Sequence, residues 1–322
     1  MKSPKATPVK PSNVTVEKFY TDHAGPLGLK LLTGANSLNR LIQEPTVNRP
    51  GLALAGFRRY FANKRVQVLG AVETSYLRSM EPELRRQRYN ELFRYKIPCV
   101  VLCRGIRPEP EFLAAADDRG VPVFQTGLVT MKFISQATLA LEQLFAPRTQ
   151  IHGCMVDIQG IGVIIQGESG IGKSEAVLGL LERGHSLVCD DIVCLTLADG
   201  KELFGTGKTI TRNLMEVRGI GLLDIKAIFG ETAVRRKMRI KLIVHLVRRE
   251  TLEREYERIP YEPLTQDLLG IPVRKVIIQV EAGRNIAVLV EAAVRNSILQ
   301  LRGINTYQDF VERHRKAMDK GG

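Results

Sequence analysis

Short apolar runs bounded by Gly or Pro alternate along the chain with longer segments whose apolar residues recur every three or four positions. RVQVLG (65–70), CVVLC (99–103) and VPVFQT (121–126) read as strands. PEFLAAADDRG (110–120), ending at Gly120, and MKFISQATLALEQLF (131–145) read as helices. The segment 146–150 (APRTQ) breaks the pattern and marks an expected domain boundary. Beyond it, strands are expected near 151–157, 161–166, 186–195, 239–246 and 273–280. Helices are expected at 173–183, closed by Gly184, at 291–303, and at 305–318 with a basic end. Strands alternating with helices predict an α/β fold, with a mostly parallel sheet in the half before 146. Residues 1–13, with three Lys and three Pro, read as a flexible tail. That leaves 14–147 as an N-terminal α/β domain and 148–322 as a C-terminal domain.

Composition narrows the class. Hydrophobic residues make up 44% of the 322 and charged residues 25%, ordinary values for a globular chain. No stretch approaches the roughly 20 apolar residues that span a bilayer, so no membrane association is expected. The start, MKSPKATPVKPS, is basic but no apolar segment follows it, which does not fit a secretory signal. A cytoplasmic location is therefore expected. Residues 1–150 hold 22 of the 47 basic side chains and 12 of the 34 acidic ones, so ten of the thirteen excess positive charges lie there. With eleven Phe, eight Tyr and no Trp, and with basic runs read as not interleaved with aromatics, nucleic acid is not the expected partner. The five cysteines, Cys99, Cys103, Cys154, Cys189 and Cys194, contain no Cys-x-x-Cys and read as reduced, buried thiols rather than zinc ligands. Even spacing puts Cys99 and Cys103 on one strand face.

The sharpest motif is Gly167-Glu168-Ser169-Gly170-Ile171-Gly172-Lys173-Ser174, which fits G-x-x-x-x-G-K-[ST]. Glycines let backbone N–H groups converge on phosphate oxygens, and the start of the following helix adds partial positive charge. Lys173 is placed to reach the β and γ phosphates and the Ser174 hydroxyl to meet Mg²⁺. The strand IGVIIQ before the loop and the helix SEAVLGLLERG after it supply the context this reading needs. Asp190 and Asp191 follow Lys173 by 17 and 18 residues, behind the apolar Leu187, Val188 and Cys189. A carboxylate at a strand end beside such a loop serves Mg²⁺ or accepts a proton from an attacking hydroxyl. On a regular strand the two side chains point to opposite faces, so at most one would face a nucleotide.

Further on stands EVRGIGLLDI (216–225), a glycine-punctuated segment with one acid and one base at its start. Together with the loop and the Asp pair it resembles the HPr kinase/phosphorylase family, bacterial enzymes acting on a serine of the phosphocarrier HPr. The resemblance runs through RPGLALAGF (49–57), KRVQVLGAVE (64–73), HGCMVD (152–157), GHSLVCDD (184–191), REYERI (254–259) and AGRNIAVLVEAAVRN (282–296). It implies a C-terminal P-loop kinase domain resembling phosphoenolpyruvate carboxykinase. It also implies ATP as phosphoryl donor, and reversal by inorganic phosphate with release of pyrophosphate. A role in regulating carbon metabolism and a homohexamer built through C-terminal domains follow from the same likeness.

The resemblance further assigns roles. Loop 167–174 with Lys173 would bind nucleotide phosphates, and Ser174 and Glu216 would ligate Mg²⁺. Asp191 would accept the serine proton and return it in the reverse direction, with Asp190 supporting it or the metal. His152 and Arg258 would complete the catalytic set. Gln279, Val280, Glu281, Ala282, Gly283 and Arg284 match a loop tied to dephosphorylation, where the family commonly has Pro in place of Ala282. Taken without the family, His152 is an ordinary capping residue, Glu216 a loop carboxylate, and Arg258 part of the solvated run RRETLEREYER. Arg313, His314, Arg315 and Lys316 would be either an HPr contact or a solvated tail. Two rivals stand beside this reading. A small-molecule kinase would pass phosphate to a small acid, and a nucleic-acid-linked ATPase would be stimulated by DNA or RNA.

Overall fold

The computed structural model describes residues 14–248, 264–281, 283–304 and 306–319. The expected tail at 1–13 lies outside them, as do Arg258 and Ala282. The chain divides into two compact units, one ending at Ala146 and the next beginning at Pro147. No helix among the described residues is long and apolar enough to cross a membrane.

The first unit runs β1 (Val14–Thr15), α1 (Val16–Leu27), β2 (Lys30–Thr33), β3 (Leu41–Ile42), β4 (Val47–Asn48) and α2 (Gly51–Leu54). It continues with β5 (Val66–Leu69), α3 (Ala71–Arg78), α4 (Pro82–Arg94), β6 (Val100–Leu102), α5 (Pro110–Asp117), β7 (Val123–Gln125) and α6 (Thr130–Phe145). Strands order as β2-β7-β6-β5-β4, parallel from β4 to β7, with β2 antiparallel at the edge. Successive strand residues face opposite sides and build two cores. Val66, Val68, Cys99, Val101 and Cys103 pack with Phe19 of α1 and Phe133 of α6. Leu69, Val100 and Leu102 pack with Leu77 of α3, Phe93 of α4 and Phe112 of α5. Cys99 and Cys103 share a face as expected, and burial pushes the Cys99 thiol up to about 12. Sequence reading missed α4, whose Arg- and Glu-rich surface hides a stripe formed by Tyr89, Leu92 and Phe93. Phe57, Arg59 and Tyr60 are exposed after α2, so positive charge and aromatic rings do share a surface there.

The second unit opens with β8 (Arg148–His152), β9 (Cys154–Ile158), β10 (Ile161–Gln166) and α7 (Lys173–Glu182). Then come β11 (Ser186–Cys189), β12 (Ile192–Ala198), β13 (Glu202–Thr206), β14 (Leu214–Val217), β15 (Gly221–Asp224) and α8 (Ile225–Phe229). β16 (Lys237–Arg248), β17 (Thr265–Leu268), β18 (Ile271–Val280), α9 (Ile286–Leu301) and α10 (Thr306–Asp319) complete it. The long β16 organises the sheet. Its first residues pair antiparallel with β13, and its later ones run parallel between β10 and β18. The parallel part carries a fully apolar core of Val163, Ile165, Leu242, Val244 and Leu246, on which α7 and α9 pack. The other pairings given for this sheet are antiparallel, so it is mixed, whereas the sheet of the first unit is mostly parallel as expected.

Three expected elements differ. The strand expected near 151–157 is two, β8 and β9, separated at Gly153. The strand expected over 186–195 is interrupted at Asp190 and Asp191, where Asp191 adopts φ +62°. The helix expected from 291 begins at Ile286, where the Asn285 side chain accepts a hydrogen bond from the Val288 N–H and caps the first turn.

The buried Glu291 of α9 ties this helix to the end of α7. It pairs with Arg183, beside Arg295 and 3.6 Å from His185 Nε2. Arg183 holds the Glu291 carboxyl below its ordinary range, outweighing burial, which pushes it up. A lowered carboxyl stabilises the fold above its unfolded pKa of about 4.3, and that stabilisation is lost as pH falls through the folded value. Glu291→Gln should therefore lower the urea midpoint at pH 7 and flatten its decline from pH 5 to pH 3. A wild-type-like acid limb in the variant would contradict this.

Candidate active site

Loop 167–174 joins the end of β10 to the start of α7. Ile171, 6% exposed, pins it to the core. Gly172 caps α7 at φ +100°, and Gly170 stands at φ +76°, a region that penalises any Cβ. A Cβ on Gly170 would also sit 2.8 Å from Arg218 Nη1. The Lys173 ammonium donates to the carbonyls of Gly167 (3.0 Å) and Glu168 (2.8 Å), so it lies along the loop. Glu168 is exposed, with Arg248 Nε 3.9 Å from its carboxylate.

Ser169, Gly170, Gly172, Lys173 and Ser174 line an open cleft of about 270 Å³ together with Asp190, Asp191, Glu216 and Arg218. The interruption between β11 and β12 is what brings both acids there. Their surroundings differ sharply. Asp190 is held at both oxygens: Oδ1 accepts from the Cys154 thiol (2.9 Å) and Oδ2 from the Glu216 N–H (3.1 Å). Burial, then the Asp190 charge, pushes the Cys154 thiol well above its ordinary range, which keeps it a donor. Asp190 thus fastens the β14–β15 hairpin to β9. Asp191 has a side chain 79% exposed, and His152 Nδ1 lies 3.8 Å from its Oδ1. His152 ends β8 opposite Ile192, and the Gly153 N–H donates to the Asp191 carbonyl at 2.9 Å.

The hairpin sorts its residues by a period of two. Met215 and Val217 are buried in the core, while Glu216 faces the cleft. Arg218, two residues after Glu216, reaches the cleft as well. The site residues singled out from sequence omitted Arg218, although alternation along 216–218 was the available signal. They also omitted Cys154, and no local signal could have supplied it, because its contact with Asp190 spans 36 residues.

None of the described residues of the 279–284 loop lines the cleft. Gln279 donates to Glu281 Oε1 (2.7 Å), and Arg284 pairs with Glu281 Oε2 (2.9 Å). Gly283, at φ +84°, follows Val280 at the end of β18. The loop nevertheless ends beside the phosphate motif, since a Cβ on Gly172 would lie 3.2 Å from Ile286 Cδ1. Arg313, His314, Arg315 and Lys316 are exposed along α10. Among the described residues no three His, Cys, Asp or Glu side chains form a metal cluster on their own.

The arrangement sets acids beside cations at a glycine-bearing loop that opens a helix, chemistry suited to handling phosphate. Comparison with known proteins gives the family. Residues 143–314 match the model "HPr Serine kinase C-terminal domain" and residues 14–141 match "HPr Serine kinase N terminus". An HPr kinase/phosphorylase of Polaromonas naphthalenivorans is 52% identical over 97% of this chain and 99% of that one. A relative of the same name from Acidovorax sp. is 50% identical over 98% and 99%. A solved chain, the Hpr(Ser) kinase/phosphatase from Coxiella burnetii, is 35% identical with a TM-score of 0.45, covering 50% of this chain and 98% of its own. With both domain models matched in order and half the residues shared along nearly the whole length, the chain belongs to the HPr kinase/phosphorylase family.

Proposed function

We propose that this chain is an ATP-dependent serine kinase of HPr that also reverses the reaction by phosphorolysis, on a P-loop domain akin to phosphoenolpyruvate carboxykinase. One observation carries the reading: a single cleft is lined by Lys173, Ser174, Asp190, Asp191, Glu216 and Arg218. In the forward direction the Asp191 carboxylate takes the serine proton as the serine oxygen attacks the γ-phosphorus of ATP and the ADP oxygen leaves. Lys173, Arg218 and the loop N–H groups stabilise charge spreading over the equatorial oxygens. In reverse, inorganic phosphate attacks phosphoserine. Pyrophosphate forms, and Asp191 returns the proton to the departing serine oxygen. Phosphate fits the cradle that holds the nucleotide phosphates.

The exposed Asp191 is the proton carrier, because its oxygens are free to meet a hydroxyl from outside. Asp190, occupied at both oxygens, positions Glu216. His152 stands where it can orient Asp191. The hard oxygen donors Ser174 and Glu216 suit Mg²⁺, which commonly takes one or two carboxylates and completes its shell with phosphates and water. When bound, Mg²⁺ supplies neutralisation of phosphate charge. Arg258 and the 279–284 loop retain the roles the family implies, as do the homohexamer, the cytoplasmic location and the link to carbon metabolism.

The test is direct. The purified protein, HPr and γ-labelled ATP should give label on one HPr serine, and added phosphate should convert that label to pyrophosphate. Transfer to a small acid instead would favour a small-molecule kinase, and no transfer to either would remove the reading.

A further inference from the structure

The β14–β15 hairpin has one face in the core and one outside. Its register sets Met215 opposite Leu223 and Glu216 opposite Leu222. Directly opposed residues of an antiparallel pair project on the same side, with Cβ atoms about 5 Å apart. The inner pair is apolar, as a core face requires. On the outer face Glu216 reaches the cleft, yet its cross-strand neighbour Leu222 is aliphatic and 66% exposed. Ile220 at the tip is also 66% exposed, and Ile228 of α8 is 56% exposed. Alternation alone would place polar residues at such positions. Exposed aliphatics at Ile220 and Leu222, on a hairpin whose Glu216 lines the reaction cleft, mark a surface that something covers.

We propose that the outer face of this hairpin, through Ile220 and Leu222, is a docking ledge for the protein that carries the acceptor serine. This rests on the kinase reading above. The exposure of the acid end of the site favours that occupant. The Asp191 and His152 side chains are 79% and 87% exposed, so the acceptor hydroxyl arrives from outside on another surface. A serine held within hydrogen-bond reach of Asp191 brings its flanking residues against the cleft walls, and the hairpin is one of those walls. A small acceptor bound inside the cleft would leave the ledge uncovered. The ledge therefore selects an acceptor with apolar side chains beside its serine, and it acts on capture rather than on chemistry.

The experiment uses the full-length protein with HPr as probe. The double variant Ile220→Ser/Leu222→Ser should raise KM for HPr about tenfold or more, with kcat at saturating HPr and affinity for a fluorescent ATP analogue within about twofold. Leu222→Met, which keeps an apolar surface, should stay near wild type. An unchanged KM in the double variant would overturn the ledge. So would equal losses in kcat and nucleotide affinity, which would mean that Glu216 had been displaced. A change in subunit number by sedimentation would assign the hairpin to contact between copies and overturn the ledge too. If wild-type protein phosphorylates no serine of HPr, the kinase reading fails and the ledge falls with it, an outcome distinct from the other three.

Discussion

Asp191→Asn is expected to lower serine phosphorylation and its reversal together, by about 10²–10⁴-fold, the usual contribution of a positioned general base. Nucleotide binding should stay within about twofold. The substitution is informative because of the backbone. Asp191 stands at φ +62°, a conformation that asparagine tolerates at least as well as aspartate and that β-branched residues resist. Asparagine therefore keeps the kink between β11 and β12, and the loss reports proton transfer rather than a moved strand. Asp190→Asn gives the contrast. Its amide retains one oxygen and has to take both partners of a carboxylate that accepts from Cys154 and from Glu216. Its effect should fall on the Mg²⁺ requirement through Glu216. Rates and nucleotide affinities measured across a Mg²⁺ titration separate the two acids. Near-wild-type turnover in Asp191→Asn would end its assignment as base.

Lys173→Met should lower turnover by about 10²–10³-fold, the scale of losing one preorganised charged donor at a transferring phosphoryl group. Unlike Asp191→Asn, it should also weaken nucleotide binding, because the ammonium meets phosphates in the ground state. A second effect is expected from the fold. The Lys173 ammonium satisfies the carbonyls of Gly167 and Glu168, and methionine offers no donor to them. Both carbonyls can turn to water, so global stability should change little. Fluorescent-nucleotide titration and a thermal melt check the two parts. Undiminished nucleotide affinity in this variant would separate Lys173 from the phosphates.

The parts of the site legible in the sequence are those whose chemistry is local. Loop 167–174 announces itself because glycine, lysine and serine must fall at fixed offsets between a strand and a helix. The Asp pair was legible as acids but not as a kink. Apolar residues flank the pair on both sides, Leu187–Cys189 and Ile192–Leu195, so hydropathy reads one strand across it, and nothing in it encodes a left-handed residue at 191. Contacts between distant segments were not legible at all. The Cys154 thiol looks structural until β9 and β11 pair and place it beside Asp190. In α4, Arg85, Arg86 and Arg88 mask the few apolar positions that reach the core. The first turn of α9 is the apolar run IAVLV, whose β-branched Ile and Val are weak helix signals, so its start at Ile286 is set by the Asn285 cap and by packing.

Because β14 turns Met215 and Val217 to the interior and Glu216 to the reacting groups, its length matters as much as its composition. Losing or gaining one codon ahead of Met215 would trade places between thioether and carboxylate, sending a charge inward and grease toward the substrate. Such a frame-preserving lesion would abolish turnover and loosen the domain at once. In a mutational scan, single-residue insertions and deletions here should rank with the worst point changes at Lys173 and Asp191.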